Sequence, residues 1–144
     1  METIDEGTAM TALIDEGLEI LDERECLRLL GTTRVGRVAI NRGAIPVVLP
    51  VTFALVGGDI MFFTGTGTKL NAALEGGPVA FEVDDIDVDA ESGWSVLVVG
   101  RAVAAEGWSR AQAEALGLYA WAAGERHHLV RIRREFVSGR RVLK

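Results

Sequence analysis

The stretch that decides the fold runs from residue 34 to residue 64 and reads RVGRVAINRGAIPVVLPVTFALVGGDIMFFT. It alternates short β-branched and aromatic runs with turn residues, which is the pattern of antiparallel strands joined by hairpins. It predicts strands over Val35–Ile40, Pro46–Leu55 and Asp59–Thr64, with turns at Asn41–Gly43 and at Gly57–Gly58. Pro46 and Pro50 have no backbone N–H to donate, so the second strand is expected at a sheet edge, a bulge or a bend.

The flanking sequence adds short helices and three more strands. Asp22 with Glu25 three residues later predicts a helix start, and Gly31 predicts its end. Ser109 with Gln112 predicts a second start, for a helix that continues to about Ala123. The remaining assignments are a short helix at Thr68–Leu74 and strands at Pro78–Ile86, Gly93–Ala105 and His128–Val137. Six strands with short turns indicate a mostly antiparallel barrel, and an open α+β sheet is the alternative.

The composition fits one globular domain. The chain has 144 residues, of which 49% are hydrophobic and 25% charged, and a chain of this size can bury a core without disulfides or structural metals. One cysteine, Cys26, excludes an internal disulfide framework. We divide the chain into an acidic N-terminal arm, residues 1–20, and a barrel domain, residues 21–144.

The charges argue against nucleic acid as a partner. The net charge is −6, and nine acids with one base, Arg24, fall in the first 25 residues. Nucleic-acid binders usually carry a basic balance, and the basic C-terminal segment does not outweigh the acidic total. No apolar run is long enough to span a membrane, and the start lacks the basic residues of a secretory signal. A cytoplasmic protein is therefore expected.

The strongest chemical signal is the segment from Thr64 to Lys69, which reads TGTGTK. It joins a predicted strand to a predicted helix, and its glycines let backbone N–H groups turn towards an anion. Three threonine hydroxyls and one ammonium could hold a phosphate at the helix start. Lys69 also stands out because the chain has 13 arginines and only one other lysine, Lys144. The competing interpretation is a polar connection with an exposed lysine.

Other groups offer weaker alternatives. The acidic stretch from Glu82 to Glu91 lacks calcium-loop spacing and is better explained as a solvated loop. His127 and His128 are neighbours on a strand and cannot easily share one metal, although either could ligate a haem. Cys26 lies among leucines and is expected to be a buried hydrophobe. Trp94 is either a stacking platform or a core aromatic. No set of residues has the pattern typical of acid–base, nucleophilic or metal catalysis, as expected where a cofactor supplies the chemistry.

In this order and spacing, several short motifs resemble those of the pyridoxamine 5'-phosphate oxidase-like, FMN-binding split-barrel flavoproteins. The similarity is nearest to the nitroimidazole-resistance-type branch and runs from about Leu21 to Arg141. The motifs that carry it are Gly36–Arg37, Pro46–Phe53, Ile60–Thr64, Gly67–Leu70, Val79–Asp84, Gly93–Val96, Gly100–Arg101 and Gly139–Arg141. The resemblance implies a six-stranded antiparallel split β-barrel of Greek-key type.

The resemblance also implies a cofactor and an assembly. It implies FMN bound at the interface of a homodimer, with the ribityl phosphate held by Thr64, Thr66, Thr68 and Lys69. It places the flavin ring against the backbone of Val51, Thr52 and Phe53. Trp94, Ser95 and Arg140 would contribute to the phosphate or ribityl side.

Three functions remain open from the sequence. The first is an FMN-dependent oxidoreductase acting on a small unsaturated or nitro compound. The second keeps the fold but uses a deazaflavin coenzyme, whose longer anionic tail could be held by Arg37, Arg101, Arg131 and Arg133. The third is a non-enzymatic flavin or haem carrier. A long basic extension expected of a true pyridoxamine 5'-phosphate oxidase is absent from this sequence, which argues against that activity.

Overall fold

The structure is a computed structural model, and it describes residues 17–65, 77–119 and 127–142. Its elements, in chain order, are β1 Leu18–Leu21, α1 Glu23–Leu30, β2 Val35–Arg42, β3 Ile45–Thr52, β4 Ala54–Val56, β5 Asp59–Gly65, β6 Pro78–Asp87, β7 Ser92–Ala104, α2 Arg110–Ala115 and β8 His127–Val142. The predicted helix at Thr68–Leu74 lies outside the described residues.

All eight described strands belong to one antiparallel sheet. Its order is β3-β2-β6-β7-β8-β5-β4, and β1 pairs with the far end of β8. The sheet curls around a main core. Each described strand contributes apolar side chains that are buried in this core or packed against it. The predicted mostly β, antiparallel split-barrel fold is confirmed as a curled half-barrel, with eight described strands rather than six.

Strand β3 lies at the edge of the sheet, as its prolines predicted. Among the described strands it pairs only with β2, and the Phe53 N–H donates to the Arg34 carbonyl at 3.0 Å. Because hydrogen-bonded and non-bonded pairs alternate along an antiparallel ladder, Pro46 and Pro50 occupy positions that face the open edge. Their missing N–H groups therefore cost the sheet no hydrogen bond.

Several predicted boundaries were wrong. The single predicted strand Pro46–Leu55 is split at Phe53 into β3 and β4. The first turn is Gly43–Ala44, with Gly43 at φ +62°, and Asn41 belongs to β2. Leu18–Ile20, assigned to the acidic arm, form part of β1 and pair with the last strand. The rest of that arm, residues 1–16, lies outside the described residues.

Both predicted helix starts are confirmed. The Asp22 carboxylate accepts a hydrogen bond from the Glu25 N–H at 2.8 Å, and Ser109 and Gln112 form a reciprocal capping box. The second helix is shorter than predicted, because Gly117 takes φ +86° and the Leu118 N–H turns back to the Ala113 carbonyl. Leu118 then packs beside Met61 in a second cluster.

That second cluster shows which part of the outer sheet face is covered. Met61 and Phe63 on β5 point away from the main core and pack under α2, whereas Ile60 and Phe62 point into the core. The outer face of β3, β2, β6 and β7 has no such helix over it among the described residues. None of the described helices is long and apolar enough to cross a membrane.

Candidate functional site

The described site residues fall into two groups. The first, which we call the edge group, consists of Val51, Thr52, Phe53 and Thr64. The second, the ribbon group, consists of Trp94, Ser95 and Arg140. The remaining predicted phosphate ligands, Thr66, Thr68 and Lys69, lie outside the described residues and directly follow the edge group in sequence.

The edge group forms where β3 passes into β4. Val51, Thr52 and Phe53 are all buried. The Thr52 hydroxyl donates to the Tyr119 carbonyl at 3.0 Å, and the ring of Phe53 packs edge-on against Phe81 with centroids 4.8 Å apart. These side chains are held by the protein itself, so this segment can present only its backbone at the open edge of β3.

Thr64 stands at the end of β5, immediately before the predicted phosphate segment. Its side chain is buried, and its hydroxyl donates to the His128 carbonyl at 3.4 Å. The neighbouring pair in the ladder is Gly65 with His127, where both strands begin or end. Thr64 therefore fixes the position from which the Thr66–Lys69 segment departs.

The ribbon group lies on the long β7–β8 ribbon, near the start of β7. Ser95 is paired with Arg140 on one side and with Asp84 on the other. Arg140 is exposed and Ser95 is half-buried, so a hydroxyl and a guanidinium stand side by side at the surface. Both are groups that bind phosphate oxygens. Trp94 is half-buried and packs against the main core.

Within one chain, Thr64 is separated from the ribbon group by most of the length of β8. Thr64 is paired with His128 and Ser95 is paired with Arg140, and His128 and Arg140 lie on the same strand. These two positions are twelve residues apart in β8, which corresponds to about 40 Å of extended strand. A phosphate contacts side chains within a few ångströms, so we do not expect one phosphate to touch both Thr64 and the ribbon group of one chain.

The arginines named for an anionic tail mostly have acidic partners. Arg131 donates to the Asp59 carboxylate at 2.9 Å, Arg101 lies 3.3 Å from Glu135, and Arg37 lies 3.6 Å from Glu82. Arg133 is exposed. The structure therefore gives three of these four arginines partners within the chain.

A cluster on the outer face was missed in the sequence analysis. Arg37 on β2 reaches both Glu82 and Asp84 on β6, at 3.6 and 3.7 Å. Burial and a hydrogen bond that protonated Glu82 donates to Asp84 raise the pKa of Glu82 to about 7. Glu82 and Asp84 alternate in sequence with Phe81 and Val83, a pattern that places both carboxylates on one face of a strand. This alternation is the signal from which the cluster could have been found. The interpretation as a solvated loop holds only beyond Asp87, where β6 ends.

The weaker alternatives gain no support from the geometry. Among the described residues, no group of three His, Cys, Asp or Glu side chains is arranged to hold a metal ion. Cys26 is fully buried in the main core, and burial raises the pKa of its thiol to about 11. Trp108 packs against the second cluster, whereas Trp121 lies outside the described residues.

Comparison with known proteins identifies the family. The family model described as pyridoxamine 5'-phosphate oxidase matches residues 22–141. The chain belongs to this family. Uncharacterized protein Rv0080 of Mycobacterium tuberculosis is 32% identical over 128 residues, which cover 85% of this chain and 84% of that protein.

Solved structures share the fold of this chain. The FAD binding protein from Mycobacterium smegmatis is 34% identical with a TM-score of 0.71, and the match covers 85% of this chain and 98% of that one. A Bacteroides thetaiotaomicron protein assigned to 5-nitroimidazole antibiotic resistance has a TM-score of 0.63 at 13% identity, over 87% and 89% of the two chains. The second likeness is one of fold alone. The resemblance drawn from the sequence motifs is thus confirmed.

Proposed function

We propose that the protein is a flavin-dependent oxidoreductase that binds its cofactor between two copies of the chain. The observation that carries the proposal is the separation of Thr64 from the ribbon group along β8. The Thr64–Lys69 segment and the ribbon group both have residue types expected at a flavin phosphate, yet one phosphate is not expected to reach both Thr64 and Ser95 of one chain. In a symmetric dimer, the edge group of one copy can face the ribbon group of the other.

The open sheet face offers a surface on which two copies can meet. Five outward-facing residues on adjacent strands form what we call the apolar row: Val48, Ala39, Ala80, Val99 and Phe136. Val48 is 59% exposed and Phe136 is 46% exposed. A contiguous apolar strip of this kind is typical of a protein interface. A homodimer built on this face is part of the proposal.

We further propose that the cofactor is anchored through its ribityl phosphate, with FMN as the smallest ligand that satisfies the site. Lys69 and the hydroxyls of Thr66 and Thr68 would supply the charge and hydrogen bonds on one side, and Ser95 and Arg140 on the other. FAD carries the same phosphate, and the mycobacterial relative described as FAD-binding makes both ligands part of the test. The arginines that a deazaflavin tail would need are largely engaged with acids of this chain.

The chain's own residues bind and orient the cofactor. A bound flavin supplies one- or two-electron transfer to a small molecule. The buried, internally bonded side chains of Val51, Thr52 and Phe53 make the β3 edge a rigid wall, which would hold a planar ring in one orientation. The described residues include no side chain placed for proton transfer at this wall.

The first test is the visible spectrum of the purified protein, followed by titration of the apoprotein with FMN and with FAD. Lys69→Ala is expected to lose most of the bound flavin, because the phosphate loses its ammonium partner. Lys144→Ala removes the only other lysine and serves as the matched control. Flavin content that is unchanged in Lys69→Ala would contradict the proposal, as would a wild-type protein that binds neither flavin.

Turnover is tested separately. The flavin-loaded protein is mixed anaerobically with reduced nicotinamide cofactors, and bleaching of the flavin absorption is followed. Reduction followed by reoxidation on adding a small nitro or unsaturated compound supports an oxidoreductase. Flavin that stays oxidised with every donor would instead favour a flavin carrier.

A further inference from the structure

The outer sheet face carries a pair of carboxylates that share one ion-pair partner, Arg37. Glu82 and Asp84 are two residues apart on β6 and both point outward. Across the sheet, Glu82 is paired with Arg37 on β2 and with Leu97 on β7. The apolar row begins one step away, at Ala80. Any molecule that covers this row also removes water from Glu82.

The charges around the pair do not balance when both carboxylates are ionised. The described groups next to the pair are Arg37 on β2 and the uncharged Leu97 and Ser95 on β7. Arg140 lies one strand further away, paired with Ser95 on β8, and forms no ion pair with either carboxylate. One guanidinium at 3.6–3.7 Å compensates one of the two carboxylates. The cluster then keeps a net charge of −1, and burying an uncompensated charge is costly.

One proton removes this imbalance. A proton shared between Glu82 and Asp84 leaves one negative charge opposite the positive charge of Arg37. Burial and the hydrogen bond between the two acids raise the pKa of Glu82 to about 7, and Arg37 opposes that shift. In the isolated chain, the pair therefore gains or loses its proton close to neutral pH.

We propose that the Glu82–Asp84 pair must hold a proton for a second copy of the chain to cover the sheet face, so that assembly weakens as the pH rises. The inference rests on the homodimer of the proposed function. Its sign follows from linkage, because association that requires proton uptake is favoured at low pH and opposed once the solution pH exceeds the pKa of the free chain. Each chain takes up at most one proton at this pair.

The test measures the dimer dissociation constant of the full chain by sedimentation velocity between about pH 6 and pH 8.5. For the wild type, the dissociation constant is expected to rise by about tenfold or more between pH 7 and pH 8. Glu82→Gln keeps a donor towards Asp84 and has no proton to lose, so its dissociation constant is expected to stay flat. Asp84→Asn removes the other carboxylate of the pair, and its dissociation constant is likewise expected to stay flat.

Asp85→Asn is the matched control. It removes one negative charge from the same strand, but consecutive strand residues face opposite sides, so it leaves the cluster intact. It should keep the wild-type slope. A wild-type dissociation constant that does not change with pH, or a Glu82→Gln protein that keeps the slope, would overturn the proposal.

Flavin binding is measured on the same samples, which separates this proposal from the previous one. A pH-dependent dimer that binds no flavin would contradict the proposed function and support the proton linkage. A flavin-binding protein that is monomeric at every pH would overturn the proton linkage and the shared site together.

Discussion

Gly36 lies directly beneath the ring of Phe81 in the main core. A Cβ placed on it would stand 2.2 Å from Cζ of that ring, too close for any side chain. Gly36→Ala should therefore push the ring out of place and lower the free energy of unfolding by about 1–3 kcal/mol. Urea denaturation measures the change.

Gly77→Ala is the control for that substitution. A Cβ on Gly77 would meet nothing within 4 Å, so the variant should be neutral or stabilised by up to about 1 kcal/mol through the unfolded chain. Equal stability of the two variants would show that Phe81 does not depend on the space left by Gly36.

The thiol of Cys26 should be inert in the native protein. The residue is fully buried, and burial together with nearby acids raises its pKa to about 11. The thiolate is the reactive form, so at pH 8 a disulfide reagent should label native protein far more slowly than protein in denaturant. Rapid stoichiometric labelling without denaturant would contradict the buried position of α1.

At the residue scale, the sequence predicts what depends on local chemistry. The edge position of Pro46 and Pro50 follows from a missing donor, and the burial of Cys26 follows from its leucine neighbours. The Arg37–Glu82–Asp84 cluster escaped prediction because it depends on the pairing of β2 with β6. A strand pattern shows which residues share a face, but not which distant strand lies beside them.

Helix α1 should depend on its N-terminal cap. The Asp22 carboxylate accepts from the Glu25 N–H at 2.8 Å, and the helix carries Cys26 and Leu30 into the core. Asp22→Ala should cost about 1 kcal/mol of stability, whereas Asp22→Asn keeps an acceptor and should cost much less. Thermal unfolding of both variants checks this, and equal losses would indicate that charge rather than capping matters.

At the element scale, starts were predicted better than ends. The two helix starts are specified by a side chain that bonds its own backbone within three residues. The end of α2 depends on Leu118 packing beside Met61, a contact between distant parts of the chain. Strand β1 was missed for the same reason, since its apolar residues find their partner only at the far end of β8.

At the scale of the whole molecule, the antiparallel barrel could be predicted, but the spacing of the candidate site residues along the sheet could not. Motif order brought Thr64 and Arg140 into one list of ligands, whereas strand pairing places them near opposite ends of β8. Distances along a paired strand come only from the register. That register is the basis on which we propose a site shared by two chains.

The shared site can be tested by mixing two defective chains. Lys69→Ala removes the proposed phosphate ligand that follows the edge group in sequence, and Arg140→Ala removes a ligand of the ribbon group. A homodimer of either variant should therefore bind little flavin. When the two variants are unfolded together and refolded, about half of the dimers contain one chain of each kind. Each such dimer has one site with both defects and one site with neither, so about a quarter of the flavin binding should return. Flavin absorption of the dimer fraction measures the recovery. No recovery of flavin binding, with dimers formed normally, would mean that both residues act within the same chain. That outcome would contradict a site between subunits.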